Sequence, residues 1–210
     1  VTITQTEGRV ARRQRKNREA LILAGRAVMA EKGIDAATML EVAKRADVGA
    51  GTVYSYFKSK DDLAVAVLER LMYDLALKIE KITNEFDDPE QVYAFGMRSV
   101  INAATGDTTW KQLLNRSEVI SEAIFRMMGP FAIRDLENAT NMGRFQVDDA
   151  SLTWRMSCHA IVGLSLAITR KEISASVIED AMVRLLCMTG IGEQQAKELA
   201  ARPYPPLPVS

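Results

Sequence analysis

The stretch TMLEVAKRADVGAGTVYSYFKSKDDL, Thr38 to Leu63, reads as a helix, a tight turn, a short second helix with an aromatic end, and the opening of a third helix. Thr38 and Glu41 have the spacing of a capping box, in which a hydroxyl and a carboxylate each satisfy one orphan backbone donor at a helix start. Leu40, Ala43 and Ala46 then recur at helical spacing, and the small Ala43 lets a second helix cross closely. The turn falls at Asp47-Val48-Gly49. Val48 is placed to plug the angle between the helices, Asp47 tolerates a left-handed backbone, and Gly49 is an acceptable N-cap for a helix from Ala50 to about Phe57. Ser59 caps the next helix, with Lys60 and two acids in its first turn.

Upstream, residues 1–17 are polar and lack hydrophobic periodicity, so they read as a flexible basic arm. Its Arg12 and Arg13, with Arg9, Arg15 and Lys16, can reach DNA phosphates or a minor groove; a solubilising tail is the plainer alternative. Leu21, Leu23, Ala24, Ala27, Val28 and Met29 supply the apolar stripe of a first helix ending at Lys32-Gly33.

Downstream, Leu63, Val67, Leu71, Leu75, Ile79 and Ile82 repeat along a single helix to about Asn84, roughly 36 Å long at the usual rise. Asp87-Asp88-Pro89 ends it and starts another. Ala103 to Thr109 reads as a loop and Trp110 to Asn115 as a short helix. Ser117 to Asn141 is helical by pattern but contains Gly129-Pro130, where a missing donor and a steric clash predict a kink. After a polar connection come apolar helices over about Ala150–Lys171 and Ser174–Thr189, a break at Gly190-Ile-Gly192, one short helix and a Pro-rich tail. Strand-like alternation is missing throughout, so the expected fold is all-α with nine or ten helices.

The chain has formal net charge zero, but residues 1–60 carry 12 Lys+Arg against 6 Asp+Glu, which leaves 15 against 21 in the remaining 150. A basic head on an acidic body suits docking of one end on a polyanion. Apolar runs are too short for a membrane span, no secretory signal is evident, and Cys158 and Cys187 suit buried thiols in a reducing cytoplasm. Catalysis finds no support. The one histidine, His159, lies in an apolar helix, and neither a Gly-rich phosphate loop nor metal-ligand spacing occurs, so no cofactor or metal is expected.

Thr38, Val42-Ala43, Val48, Gly51-Thr52-Val53-Tyr54, Tyr56-Phe57, Lys60 and Leu63 together form a pattern that resembles the helix-turn-helix of the TetR family of transcriptional regulators. Asp47 stands where that family usually has Gly, and Gly49 where Ser is common; both can fill the backbone role. The resemblance covers the head closely and the body only in helix layout. It implies a helix-turn-helix DNA-binding domain at 18–60, a helical effector-binding and dimerisation domain at 61–202, and a tail at 203–210.

The second helix of the motif should enter a major groove and present Ala50, Gly51, Thr52, Ser55 and Tyr56, with Val53 and Phe57 turned inward. None of the exposed set is the Arg, Asn or Gln that makes bidentate base contacts, so base reading should be modest, supplemented by Lys44 and Arg45. The resemblance assigns Thr38, Tyr54, Tyr56 and Lys60 to phosphates, which agrees with the donors at helix N-termini; an edge-of-core role is the alternative for Tyr54. In the body, Phe95, Met97, Trp110, Leu114, Phe125, Met127, Met128 and Phe131 offer an aromatic and methionine lining, with Arg98, Asn115, Glu118 and Arg126 as polar candidates. Plain core packing is the alternative for each. The last two long helices carry an apolar excess, Leu152, Met156, Leu164, Ile178, Met182 and Leu185, beside small Ala160, Gly163 and Ala167. The family pairs this region two-fold into an interchain bundle. The implied function is a homodimeric, ligand-responsive repressor on palindromic double-stranded operator DNA, released by a small, largely apolar effector. A helical small-molecule- or partner-binding protein with a vestigial DNA-binding head is the alternative.

Overall fold

The structure, a computed structural model, describes residues 8–106 and 117–207, with only the backbone of Ser117 and Glu118. Nine α-helices and no strand occur among the described residues. The chain divides into two compact units, residues up to Arg70 and residues from Leu71, and the boundary falls inside a helix.

In the first unit, α1 (Arg9–Lys32), α2 (Met39–Arg45) and α3 (Ala50–Tyr56) pack with the opening turns of α4 (Lys60–Thr83). Each helix start follows from its sequence. Thr38 and Glu41 form the complete capping box of α2, Gly49 is the extended N-cap of α3, and Ser59 Oγ accepts from Asp62 N at 3.0 Å at the head of α4. Asp47 takes φ +54°, the left-handed conformation the turn requires. Leu21, Val28, Met29, Val42, Ala43, Val53, Phe57, Leu63 and Val67 are buried at helical spacing, and full burial of each large side chain contributes about 1.5–3 kcal/mol.

Several local expectations change. Arg9 to Asn17 belong to α1, so the basic segment is helical from Arg9 onward. Its arginines prefer helix over an extended arm once the downstream apolar stripe has nucleated the first turn. Leu23 and Leu40 are exposed, because Leu21, Ala24 and Val28 on α1 and Met39, Val42 and Ala43 on α2 already fill the faces turned to the core.

The second unit holds the rest of α4, then α5 (Pro89–Gly106), α6 (Ser117–Asn141), α7 (Ala150–Thr169), α8 (Ile178–Cys187) and α9 (Glu193–Ala201). Helix α5 starts at Pro89, where no N–H is needed, and Asp88 Oδ1 accepts from Glu90 N at 3.0 Å. It continues to Gly106, so Ala103–Gly106 are helical and not a loop; Trp110 to Asn115 lie outside the described residues. Helix α6 runs on through Pro130. Asp149 caps α7 by accepting from Leu152 N at 2.8 Å, and α7 ends at Thr169, before Lys171 at φ +59°. The next segment opens with a 3-10 turn at Ala175–Val177 before α8 begins.

Gly190, at φ +85°, closes this unit. A Cβ there would lie 2.7 Å from Gln146 Cβ and 3.1 Å from its carbonyl oxygen, while Gln146 N donates to Thr189 O at 2.8 Å. Glu90 is buried at the start of α5, yet it accepts from Gln195 on α9 at 3.0 Å and pairs with Arg144 Nε at 2.7 Å. A buried carboxylate met this way ties three segments together.

Candidate nucleic-acid interface and body cavities

On α3, Ala50, Gly51, Tyr54 and Ser55 are exposed, Thr52 and Tyr56 are half-buried, and Val53 and Phe57 are buried. Tyr54 is 57% exposed, so it stands on the surface and not at the edge of the core. Ser55 Oγ donates to the Thr52 carbonyl at 2.6 Å, and its oxygen remains an acceptor. Lys44 is exposed on α2, while neighbouring Arg45 pairs with Glu31 at 2.7 Å. Arg12 and Arg13 lie exposed in the first turns of α1.

The N-terminus of α2 is already occupied by a carboxylate. Glu41 accepts from Thr38 N at 3.1 Å and from Thr38 Oγ1 at 2.9 Å, and it pairs with Lys32. The bond from Lys32, followed by those from Thr38, holds its carboxyl below the ordinary range. A phosphate arriving here meets the first-turn N–H groups of Met39 and Leu40 beside this negative charge, not a free Thr38 hydroxyl. Lys60 Nζ donates to the Asp35 carbonyl at 2.6 Å, which fixes the ammonium at the start of α4 with two donors to spare.

In the body, parts of α4, α5, α6 and α7 line an apolar cavity of about 30 Å³. Ile79, Met97, Met128, Phe131 and Trp154 are among its large apolar lining residues, and Glu80, Tyr93 and Asp135 are its polar members. The Tyr93 hydroxyl and Trp154 Nε1 are buried without a hydrogen-bond partner. Burial pushes the Tyr93 phenol well above its ordinary range. Ser157 moderates the rise, although its oxygen does not meet hydrogen-bond geometry with the Tyr93 hydroxyl. Burial likewise raises the Asp135 carboxyl, opposed by its bonds from Arg134 at 3.0 and 2.7 Å. Two orphaned polar groups on residues that line one apolar cavity are a rare and costly arrangement, each costing about 1–3 kcal/mol.

Of the residues expected to bind an effector, Met128 and Phe131 line this cavity. Phe95 does not. It is spent on the core, edge-on to Phe86 and tilted against Tyr204, with centroids 5.6 and 5.4 Å away. Phe125 lies under the Arg155 guanidinium at 3.8 Å, away from the cavity lining, and Arg98 borders a different cavity. Trp110, Leu114 and the side chain of Glu118 lie outside the described residues. Sequence reasoning missed Tyr93, Trp154 and Asp135. The signal was present, since Tyr93-Met97-Val100 and Met128-Phe131-Asp135 each follow one helical face.

On α7, Met156, Ala160 and Gly163 are exposed together with Leu152, and Leu164 and Ala167 are half-buried. Ile178 is half-buried, but Met182 and Leu185 are buried inside the same chain, because α8 packs on α9 and α5. Those two cannot also form an outward face. Both nitrogens of His159 have neighbours, Nδ1 at 2.9 Å from the Arg155 carbonyl and Nε2 at 3.4 Å from Ser121 Oγ. Burial raises the Cys158 thiol, so it stays protonated, and no metal-binding group occurs among the described residues.

Residues 21–67 match the profile of bacterial regulatory proteins of the tetR family, and residues 88–202 match that of the tetracyclin repressor-like C-terminal domain. The chain belongs to the TetR family. Members of this family are transcriptional regulators, and the helix-turn-helix head and helical body described above are its two parts. The chain is 30% identical to the transcriptional repressor KstR of Mycolicibacterium smegmatis over 110 residues, 52% of this chain and 54% of that protein. An uncharacterised HTH-type regulator of Haemophilus influenzae is 36% identical over 66 residues, 31% of this chain and 34% of that one. The matched segments thus span between a third and about half of these relatives. Among solved structures, RolR in complex with resorcinol superposes with a TM-score of 0.82 at 27% identity, over 94% of this chain and all of that one. FadR of Bacillus subtilis with stearoyl-CoA, at 20% identity and a TM-score of 0.59 over 83% of this chain and 99% of that one, shares the fold. No described helix is long and apolar enough to cross a membrane.

Proposed function

We propose that the chain is a cytoplasmic, homodimeric repressor that binds palindromic operator DNA and is released by a small, largely apolar aromatic effector carrying hydroxyl groups. The observation that carries this reading is the α4–α7 cavity, lined by Tyr93 and Trp154, whose hydroxyl and Nε1 are unpaired, and by Asp135, whose carboxyl is raised. A phenolic ring supplies apolar faces for Met97, Met128 and Phe131 and hydroxyls that both donate and accept, which answers all three polar groups. The likeness to resorcinol-bound RolR supports the same ligand class. The cavity holds about one water's share of volume, so the effector must displace side chains, and methionines yield at low cost.

Displacement is what gives such a ligand leverage. Helix α4 lines the cavity with Ala76, Ile79 and Glu80 and begins at Lys60, so an effector that shifts its second half moves the phosphate-gripping end. The effector can loosen DNA only by the difference in its affinity for the two arrangements. Lys60, Lys44, Tyr54 and Tyr56 supply the phosphate grip, Arg12 and Arg13 extend it, and Ala50, Gly51, Thr52 and Ser55 give modest base reading. The exposed stripe Met156-Ala160-Gly163 with Leu164, Ala167 and Ile178 supports pairing of two copies, which doubles the half-site contacts.

The deciding experiment is fluorescence anisotropy on DNA from the chain's own upstream region, at rising salt and with nonspecific competitor. Sequence-specific binding that falls when resorcinol or a simple phenol is added supports the reading. Binding without sequence preference would instead favour a vestigial head, and specific binding indifferent to every phenol would remove the effector class.

A further inference from the structure

A second cavity, of about 450 Å³, lies between α5, the 3-10 turn at 175–177, α8 and α9. It shares no lining residue with the apolar cavity above. Arg98 and Asn102 come from α5, Ser176 from the turn, and Ile178, Glu179 and Met182 from α8. Arg134, Arg144, Arg155 and Arg202 are each ion-paired, whereas Arg98 makes no ion pair among the described residues. Its Nε is buried with no hydrogen-bond partner, and its guanidinium lies over the Tyr204 ring, 4.9 Å from the centroid. A guanidinium cannot shed its charge, so it borders this hollow as a permanent cation.

We infer that this cavity is a second ligand site, for a small carboxylic acid anion with a short apolar body. The Arg98 fork offers the geometry that a carboxylate meets with two parallel bonds, Asn102 and Ser176 add neutral polar contacts, and Ile178 and Met182 face the apolar part. The volume suits an occupant of metabolite size. Glu179 also lines the mouth, but it is exposed and screened by solvent and makes no ion pair with Arg98. The site therefore remains net attractive to an anion held at Arg98. This reading is independent of the phenolic effector, because the two cavities have separate linings.

The test is calorimetric titration of the full chain at constant ionic strength with benzoate, its neutral isostere benzamide, benzylamine and inorganic phosphate. Benzoate is expected to bind saturably, and each of the others to bind more weakly. Arg98→Met should weaken benzoate by about tenfold or more, the value of a lost charge-assisted bond. Ser176→Trp, on an exposed turn that tolerates substitution, should weaken it too by filling the hollow with an indole ring, and this variant decides the matter should Arg98→Met fail to fold. Tyr93→Phe, in the other cavity, should leave benzoate binding unchanged. The assignment is overturned if benzoate does not bind, if benzamide, benzylamine or phosphate binds as well, if neither Arg98→Met nor Ser176→Trp weakens benzoate, or if Tyr93→Phe abolishes it.

Discussion

Arg134 on α6 holds Glu80 on α4 through two parallel hydrogen bonds of 2.9 and 2.8 Å, and the same guanidinium donates to Asp135. One cation thus fastens α4 to α6 at the polar edge of the apolar cavity. Arg134→Met leaves the mostly buried Asp135 without its counter-charge, while Glu80 can rehydrate. Because Arg134 is 44% exposed in its side chain, the expected loss is on the order of 1 kcal/mol, read as a lower urea midpoint at neutral pH. Adding Asp135→Asn should restore most of it. An unchanged midpoint in Arg134→Met would show that the pair contributes nothing.

Asp135 also gives stability a pH dependence of definite sign. Burial raises its folded pKa above 3.8, so the folded chain keeps this proton to a higher pH than the unfolded chain does. Its contribution is complete below 3.8 and is lost as pH rises through the elevated folded value. Asp88 runs the other way. Burial raises it, but the bond from Arg202, the N–H of Glu90 and the charges of Arg202 and Arg144 outweigh that, so its contribution is lost as pH falls through its depressed value. The stability of Asp135→Asn relative to the parent should therefore increase as pH rises from about 4 toward neutrality. A difference that is flat across that range would contradict the raised pKa.

Tyr93→Phe removes a buried hydroxyl that has no partner. A purely structural role predicts loss of stability, whereas an orphaned group predicts a gain or no change, within about 1 kcal/mol. The expected result is a melting temperature equal to or above the parent's together with a weaker response to phenols in DNA-binding assays. Trp154→Phe should blunt the same response but cost stability, because its ring is almost wholly buried.

Gly163 is exposed, and a Cβ there would meet nothing within 4 Å in the same chain. Gly163→Leu should accordingly leave the folded single chain intact and improve helix propensity by up to about 1 kcal/mol. In a two-fold pair it would push the partner helix away. Light scattering is expected to show a shift from dimer toward monomer with helicity preserved. A parent chain that is itself monomeric at micromolar concentration would end the dimer proposal.

Lys60→Ala should weaken DNA binding to a similar degree on all sequences and reduce the salt slope by roughly one counterion's worth. Since Lys60 also bonds the Asp35 carbonyl, a small loss of head stability accompanies it. Lys60→Arg, which keeps the charge, should retain most of the slope. Equal slopes for the parent and Lys60→Ala would remove Lys60 from the phosphate contacts.

By itself the sequence determined the head and the all-α class. Capping at Thr38 and Glu41, the left-handed Asp47, the N-cap at Gly49 and the inward Val53 and Phe57 depend on neighbours a few residues away, and local chemistry is enough to fix them. Helical periodicity likewise located α4, α6 and α7 to within a few residues. Tertiary structure alone decided which apolar and polar residues share a cavity. Phe95 and Phe131 look equivalent along the chain, but one faces Phe86 and Tyr204 and the other lines the cavity. Arg98 and Arg134 are both polar breaks in apolar helices, yet only Arg134 finds carboxylates, since pairing depends on helices far apart in sequence. The Thr38 hydroxyl looked open to phosphate until the fold brought Lys32 to Glu41 and set that carboxylate firmly at the N-terminus of α2. Periodicity tells which face of a helix is apolar; only packing tells what that face meets.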